Sequence, residues 1–174
     1  MPGAYRVGER RIEVGLQEQT LWLYSNTTVV GAWPCSTAAN GAGEAHGSGC
    51  TPRGVHHIRA LIGADCAANS VFVGRRPTGE RYDSTLAAAA PARDWILSRI
   101  IWLSGDERGF NRGPGVDTLR RFIYIHGTPD SEPMGVVRSH GCIRMRNTDV
   151  IALFDQCQLG MPVIIREARS CSGR

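Results

Sequence analysis

The positions of apolar residues along the chain predict strands near both ends. Three short runs that alternate or are continuously apolar, joined by short polar links, are typical of β-hairpins: 11–16, 20–24 and 28–33. Similar runs predict strands at 55–62, 121–127 and 161–166. The pattern therefore favours a mainly β fold with a few helices.

The middle of the chain predicts the longer of two helices. The stretch PARDWILSRIIWLSG (91–105) has Pro91 at its start and Gly105 at its end, positions that these residues favour in helices. It carries an apolar stripe that we interpret as core packing: Trp95, Ile96, Ile100 and Leu103. The surrounding region, 63–118, is predicted to be an insertion or lid before the strand at 121–127.

Glycines mark the ends of two further segments. A second helix is predicted at 148–158, with Asn147 or Thr148 as its cap and Gly160 beyond its end. The glycine-rich stretch 40–54 contains no GxGxxG motif, and no helical pattern follows it. We therefore expect a mobile surface loop there rather than a phosphate site.

Composition narrows the possible classes of protein. With 174 residues, 42% apolar and 21% charged, the chain is predicted to form a single domain over 1–174 with a sizeable core. All twenty basic residues are arginine, which excludes chemistry that needs a lysine amine. The net charge of +4 is spread over scattered arginines, so nucleic-acid binding is not expected.

The sequence offers no membrane segment or export signal. No run approaches the roughly 18 apolar residues of a membrane span, and the N-terminus MPGAYRVGERR lacks the pattern of a signal peptide. Export is therefore either not native to this chain, or its signal has been removed.

Six cysteines are many for a cytosolic protein, but their spacing matches neither a zinc ribbon nor a zinc finger: Cys35, Cys50, Cys66, Cys142, Cys157 and Cys171. If one is catalytic, the other five form at most two disulfides. The first three are interpreted as disulfide partners or buried apolar residues, with a slight preference for burial. Five cysteines cannot all be paired, so at least one further thiol stays free.

The histidines outside the C-terminal third do not suggest a metal site. His56 and His57 are adjacent on a predicted strand, so their side chains point to opposite faces. His46 lies in the glycine-rich loop and is interpreted as solvated. We expect neither a metal nor a cofactor.

Cys142 and His126 are the candidate chemical pair. A thiol attacks well only as thiolate, and a nearby imidazole can take its proton. His126 ends a predicted strand, and Cys142, sixteen residues later, precedes a predicted helix. The intervening loop is long enough to bring the two within proton-transfer distance, although Cys142 alone is also compatible with a buried thiol.

Four neighbours add to this candidate site. Gly141 lacks a Cβ, so the amides of residues 140–142 can turn toward one oxyanion, whereas His140 can equally serve to hold a turn. The planar guanidinium of Arg144 suits a substrate carboxylate. Tyr124 shares a strand face with His126, as a core aromatic residue or a substrate contact.

At these residues the chain resembles the YkuD-type L,D-transpeptidases of bacterial cell walls. The family's motif is a histidine, roughly fifteen residues, then Ser/Thr-His-Gly-Cys; here it corresponds to His126 and SHGC at 139–142, followed by IRM. Weaker similarity covers the first hairpin, TPRG at 51–54 and MPVIIR at 161–166. The resemblance thus covers most of the chain outside about 63–118.

The resemblance implies a β-sandwich of mixed sheets, with the cysteine in a cleft beneath a lid. It implies a nucleophile at Cys142 and a general base at His126 that is oriented by the carbonyl of Gly127. It further implies the following supporting residues: Ser139, His140 and Gly141 around the oxyanion, and Arg144 in the acyl pocket.

The implied reaction is attack by Cys142 on a peptidoglycan stem tetrapeptide, with release of D-alanine and transfer of the acyl group to an amine. Carbapenem acylation of the cysteine and a periplasmic or envelope location are implied too. Two alternatives stay open: an L,D-carboxypeptidase or endopeptidase that passes the same acyl-enzyme to water, and a non-catalytic cell-wall interaction module.

Overall fold

The computed structural model describes residues 9–169, which form ten strands and two short helices. Their bounds are β1 Arg10–Gly15, β2 Thr20–Ser25, β3 Thr28–Pro34, β4 Gly54–Ile62, β5 Ser70–Val73, β6 Arg76–Arg81, α1 Ser84–Ala89, β7 Ile96–Gly105, β8 Tyr124–Gly127, β9 Ile143–Met145, α2 Asn147–Phe154 and β10 Pro162–Arg166. All six strands predicted from the apolar pattern are present, although β8 begins three residues later than predicted.

The strands form one mixed sheet in the order β3-β2-β1-β10-β4-β7-β5-β6, and β8 and β9 branch from β7. The pairs β1–β10 and β8–β9 are parallel, and the others are antiparallel. Ile100 of β7 pairs with both Ile62 and His126. Strands β4 and β8 therefore lie on opposite edges of β7.

The segment that follows β3 pairs with the branch strand β9, which closes the path β3-β2-β1-β10-β4-β7-β8-β9 on itself. Ser36, just after β3, exchanges backbone hydrogen bonds with Arg144 of β9 at 2.9 and 2.8 Å, and Ala38 forms a bridge with Ser139. The inward side chains of β1, β2, β4, β7, β8, β9 and β10 pack with α2 into one core. The prediction of a mainly β fold with mixed strand pairing is confirmed.

The helix predicted at 91–105 is wrong, because most of this stretch is the central strand β7. Leu97 and Ile101, which lie outside the supposed stripe, are fully buried like Ile100 and Leu103. A strand covered on both faces reads as a nearly continuous apolar run, and periodicity alone cannot separate it from a buried helix. The β-branched isoleucines favour the strand.

The second helix, α2, exists but is shorter than predicted and begins differently. It ends at Phe154, and Arg146 occupies the cap position without a side-chain hydrogen bond. The buried amide of Asn147 instead donates to the Thr128 carbonyl at 2.9 Å and accepts from Ser98 Oγ at 2.5 Å. Tertiary contacts therefore use the side chain that was expected to cap the helix.

The region 63–118 contributes both periphery and core. The hairpin β5–β6 and the short helix α1 lie at one end of the sheet, whereas β7 runs through its centre. Neither helix in the described part of the chain is long and apolar enough to cross a membrane.

Candidate active site

The parallel pair β8–β9 brings the two candidate reactive residues onto one face of the sheet. Ile125 pairs with Ile143 and His126 with Arg144, which places Cys142 beside Tyr124. Alternate residues share a face, so Tyr124, His126, Cys142 and Arg144 project together. The strand spacing and rise put the Cα atoms of His126 and Cys142 roughly 8 Å apart, which two side chains can bridge.

His126 is held in one tautomer. Its Nδ1 donates a hydrogen bond to the carbonyl oxygen of Gly127 at 2.7 Å, and a carbonyl only accepts, so Nδ1 carries the proton. Burial lowers the pKa of His126, and the Gly127 carbonyl partly opposes this. A neutral imidazole with a basic Nε2 is therefore the resting form.

Cys142 is half-buried, and its thiol is held between two backbone groups. Sγ donates to the carbonyl of Phe122 and accepts from the amide of Tyr124, both at 3.4 Å. Burial raises the pKa of the thiol to about 11, against the Tyr124 amide and the charges of Arg144 and Arg121, which lower it. The resting group is the thiol, and a thiol becomes a good nucleophile only after a base has taken its proton.

The SHGC turn has a conformation that only glycine adopts easily at its third position. Gly141 has φ +133°, and a Cβ there would lie 3.2 Å from both the Cys50 carbonyl oxygen and Ile123 Cδ1. Ser139 Oγ donates to the Cys142 carbonyl at 2.5 Å and accepts from the Gly141 amide at 3.2 Å. The buried Ser139 thus fixes the turn from inside.

Thr51 supports this turn from the TPRG segment. It is fully buried, and its Oγ1 donates to the Gly141 carbonyl at 2.9 Å and accepts from the Ala38 amide at 3.0 Å. The similarity of TPRG to the family's turn was the sequence signal at this position. The same segment thereby links the glycine-rich loop 40–54 to the cysteine.

Arg144 is buried and already paired with a carboxylate of this chain. Its Nη2 lies 2.9 Å from Asp94 Oδ1, and Nη1 is 4.0 Å from Glu132. His140, which is exposed, has Nδ1 3.7 Å from the other oxygen of Asp94. Asp94 therefore holds two motif residues, and neither periodicity nor motif spacing gave any signal for it.

Arg121 was also missed by the sequence analysis. Its guanidinium donates to the backbone carbonyls of Gly43, Glu44 and Cys50 and to Ser48 Oγ. It thereby fastens the glycine-rich loop, predicted to be mobile, against the strand that carries His126. In the sequence this residue was only half of an unremarkable Arg-Arg pair.

Two cavities meet at the exposed side chain of His140. One of about 340 Å³ is lined by His46, Gly47, Gly49, Arg120, Arg121, Phe122, Ile123 and His140. The other, about 120 Å³, includes Asp94, Trp95, Thr128, Glu132, His140 and Arg144. Both cavities therefore border the SHGC turn at His140.

The remaining cysteines and histidines do not form a second centre. Five cysteines are free thiols, of which Cys35 is fully buried, and the sixth, Cys171, lies outside the described residues. His56 is buried whereas His57 is half-exposed and pairs with Asp106 at 2.7 Å. Within residues 9–169 no group of three or more potential ligands is placed to hold a metal ion.

Comparison with known proteins identifies the family of the chain. A family model described as the L,D-transpeptidase catalytic domain, YkuD, matches residues 9–165, nearly the whole chain. The chain belongs to this family. The YkuD match extends from β1 through most of β10 and so includes every residue of the site described above.

A Bacillus subtilis (strain 168) protein named "Putative L,D-transpeptidase YqjB" is 36% identical over 66 residues, which are 38% of this chain and 33% of that protein. The structural match of Mycobacterium tuberculosis L,D-transpeptidase 3 in complex with a faropenem-derived adduct has a TM-score of 0.55 at 16% identity, covering 91% of this chain and 60% of that one. The structure of Bdellovibrio bacteriovorus Bd1075 matches with a TM-score of 0.57 at 16% identity, and the match covers 93% of this chain and 49% of that one. The chain thus spans about half to three-fifths of these two structures, which share its fold.

Proposed function

We propose that the protein is a cysteine-dependent L,D-transpeptidase that acts on peptidoglycan stem tetrapeptides through a thioester acyl-enzyme. Membership of the YkuD family supports this class of reaction. The observation that carries the mechanism is the shared sheet face of Cys142 and a buried His126 whose proton is fixed on Nδ1. This arrangement leaves Nε2 as the atom that can accept the thiol proton.

In the first half-reaction, the thiol leaves the Phe122 carbonyl and turns toward His126, which takes its proton. The thiolate attacks the carbonyl carbon of the diaminoacyl residue, and the C–N bond to the terminal D-alanine breaks. The departing nitrogen takes the proton from His126, so D-alanine leaves with a neutral amino group. A thioester remains on Cys142. Longer thiol–imidazole distances are common before substrate binds.

Backbone amides of the SHGC turn are the proposed donors to the oxyanion. The Gly141 amide is already bonded to Ser139 Oγ at 3.2 Å. The amides of His140 and Cys142 are therefore the better candidates in the resting conformation, and Gly141 and Ser139 serve to set their direction. Tyr124 contributes its amide to Sγ before the attack.

In the second half-reaction, the amine of an acceptor stem attacks the thioester and gives its proton to His126. The C–S bond breaks, and Cys142 recovers that proton. The two cavities beside His140 offer room for donor and acceptor chains. Because the substrate belongs to the cell wall, we place the reaction in the periplasm or cell envelope.

Acylation by β-lactams is part of the same proposal. A structural relative, L,D-transpeptidase 3 of Mycobacterium tuberculosis, carries a faropenem-derived adduct. Intact-protein mass after incubation with a carbapenem is the direct test. We expect one adduct on the wild-type protein and none on Cys142→Ala; an unmodified wild-type protein under reducing conditions would contradict a reactive nucleophile and favour the interaction module.

Product analysis separates transfer from hydrolysis. The protein is incubated with a purified tetrapeptide, with and without an added D-amino acid, and products are identified by mass spectrometry. Transpeptidation yields the exchanged or crosslinked peptide, whereas a carboxypeptidase yields the tripeptide alone. Exclusive hydrolysis in the presence of acceptor would overturn the transferase assignment and leave the acyl-enzyme intact.

A further inference from the structure

Three arginines lie around the face of the sheet that carries Cys142, and two of them already have polar partners within this chain. Arg144 is buried against Asp94 at 2.9 Å. The guanidinium of Arg121 donates hydrogen bonds to three backbone carbonyls and a serine hydroxyl. A substrate carboxylate that paired fully with either guanidinium would have to displace these partners, and the hydrogen bonds lost would offset part of the gain.

Arg75 is the third, and its position is set by a tight turn. It stands at the tip of the β5–β6 hairpin, where Val73 pairs with Arg76 across a two-residue loop. Both loop residues have positive φ, +55° at Gly74 and +65° at Arg75. Two-residue loops of this kind match the twist of the strands, so the tip projects in a defined direction.

Aromatic groups hold the guanidinium of Arg75 in place. Its Cζ lies 4.7 Å from the ring centre of Trp102 and 5.0 Å from that of Phe122. One Nη1 donates to the hydroxyl of Tyr124 at 3.2 Å. A guanidinium stacked in this way keeps its orientation while most of its five N–H donors stay available.

Two of the three residues that hold Arg75 also contact the thiol. Phe122 supplies the carbonyl, and Tyr124 the amide, that contact Cys142 Sγ. Cys142 and Trp102 both pack against the buried cluster that contains Tyr124. Phe122 and Tyr124 thus contact both the guanidinium and the thiol, which places Arg75 close to the candidate nucleophile.

No carboxylate of residues 9–169 forms an ion pair with Arg75, in contrast to Arg144. The side chain is partly exposed, and the rings of Trp102 and Phe122 cover only part of its guanidinium. A charged, oriented and unpaired donor beside a reactive thiol is suited to a planar anionic group.

We propose that Arg75 binds a carboxylate of the acyl-donor peptide at a point remote from the scissile bond, and that Arg144 instead braces the SHGC turn. This rests on the proposed function, since the donor is taken to be a stem peptide. Arg75 is then a substrate-binding residue that contributes to specificity for acidic peptides.

The test is peptide binding in the Cys142→Ala background, where no turnover occurs. Calorimetry is performed with a stem tetrapeptide and with a set of analogues, each with one carboxylate converted to an amide. Adding Arg75→Gln is expected to raise the Kd of the unmodified tetrapeptide about 10- to 100-fold, the range for losing a charge-assisted hydrogen bond. For one amidated analogue the two proteins should bind equally, which identifies the carboxylate.

Controls separate binding from folding. Arg76→Gln, the exposed neighbour on the same hairpin, should leave every Kd unchanged, and Arg75→Lys should restore part of the affinity. If Arg75→Gln weakened binding of the unmodified peptide and of every amidated analogue equally, Arg75 would only pack the hairpin. That result would overturn the proposal. Arg75→Gln could weaken binding of the unmodified peptide but not of one amidated analogue, while the wild-type protein releases no D-alanine. That result would refute the transpeptidase assignment alone, so the two failures are distinguishable.

Discussion

Strands β4 and β8 flank β7, and each buries one histidine whose pKa is lowered by burial, to about 4 for His56. Both nitrogens of His56 are occupied, Nδ1 by the Gly54 carbonyl and Nε2 by Thr118 Oγ1, each at 3.1 Å. For His126 only Nδ1 has a partner among the described residues, the Gly127 carbonyl. Burial makes both imidazoles neutral, but only His126 keeps a nitrogen for proton transfer.

The cysteines show the same contrast. Burial raises the pKa of Cys35 to about 12 and that of Cys142 to about 11. Cys35 lies within the apolar core cluster, whereas Cys142 is approached by an amide, a carbonyl and two arginines. A raised pKa therefore does not distinguish the core thiol of Cys35 from the candidate nucleophile Cys142, whereas the polar groups around the sulfur do.

The largest expected effect comes from exchanging the two thiols for alanine. Cys142→Ala should abolish D-alanine release and change stability little, because the side chain is half-buried. Cys35→Ala should keep the reaction and lose about 1–2 kcal/mol of stability through a small core cavity. D-alanine release assays and thermal unfolding of both variants test these two expectations. Turnover by Cys142→Ala would refute the mechanism.

The histidine pair comes next. His126→Gln should lower the rate of acyl transfer at least ~100-fold, the usual contribution of a general base, with D-alanine release as the readout. His56→Gln is the matched control, because it disturbs a buried histidine outside the site. It should lower the unfolding temperature and leave kcat within about threefold; the reverse pattern would move the base to β4.

Gly141→Ala tests the turn itself. The new Cβ meets the Cys50 carbonyl in a backbone region that disfavours alanine, so we expect a loss of about 1–3 kcal/mol and a fall in acylation rate. Gly135→Ala has φ +79° and no neighbouring atom within 4 Å, and so carries the strain without the collision. Gly141→Ala should be less stable in denaturant unfolding, and slower to form the carbapenem adduct, than Gly135→Ala. Equal effects of the two substitutions would mean that backbone strain alone matters.

Much of this architecture follows from local pattern. The hairpin strands and β10 show simple apolar runs bounded by turn residues, and the His126-to-Cys142 spacing leads to the residues that β8 and β9 place together. The central strand was misread because a strand buried on both faces and a buried helix have similar apolar runs when they are short. Only the pairing of Ile100 with two neighbouring strands, a long-range property, decides between them.

Asp94, Arg121 and Arg75 were beyond sequence reasoning for a related reason. Each acts through partners distant in the chain: Asp94 contacts a residue fifty positions away, and Arg75 one forty-nine positions away. Single charged residues in unremarkable segments give no periodic signal. The motif pointed to the candidate pair Cys142 and His126, whereas the charged groups around this pair are brought there by tertiary contacts.

The smallest expected effect concerns Asp94 and the charge balance at Cys142. The Asp94 carboxylate raises the pKa of the thiol, whereas Arg144 and Arg121 lower it. Asp94→Asn removes the unfavourable charge and leaves Arg144 unneutralised, so the pKa should fall. Alkylation by iodoacetamide follows the thiolate fraction and rises with pH toward about 11 in the wild type.

In Asp94→Asn the alkylation profile should therefore move to lower pH, and the rate at pH 8 should rise about two- to fivefold, since one pKa unit is a tenfold change in thiolate. Peptide mapping by mass spectrometry isolates Cys142 from the other thiols, and the exposed Asp65→Asn serves as control. A slower reaction in Asp94→Asn would show that Asp94 acts mainly by holding Arg144 in place, because release of that guanidinium from the SHGC turn would then outweigh the gain in thiolate.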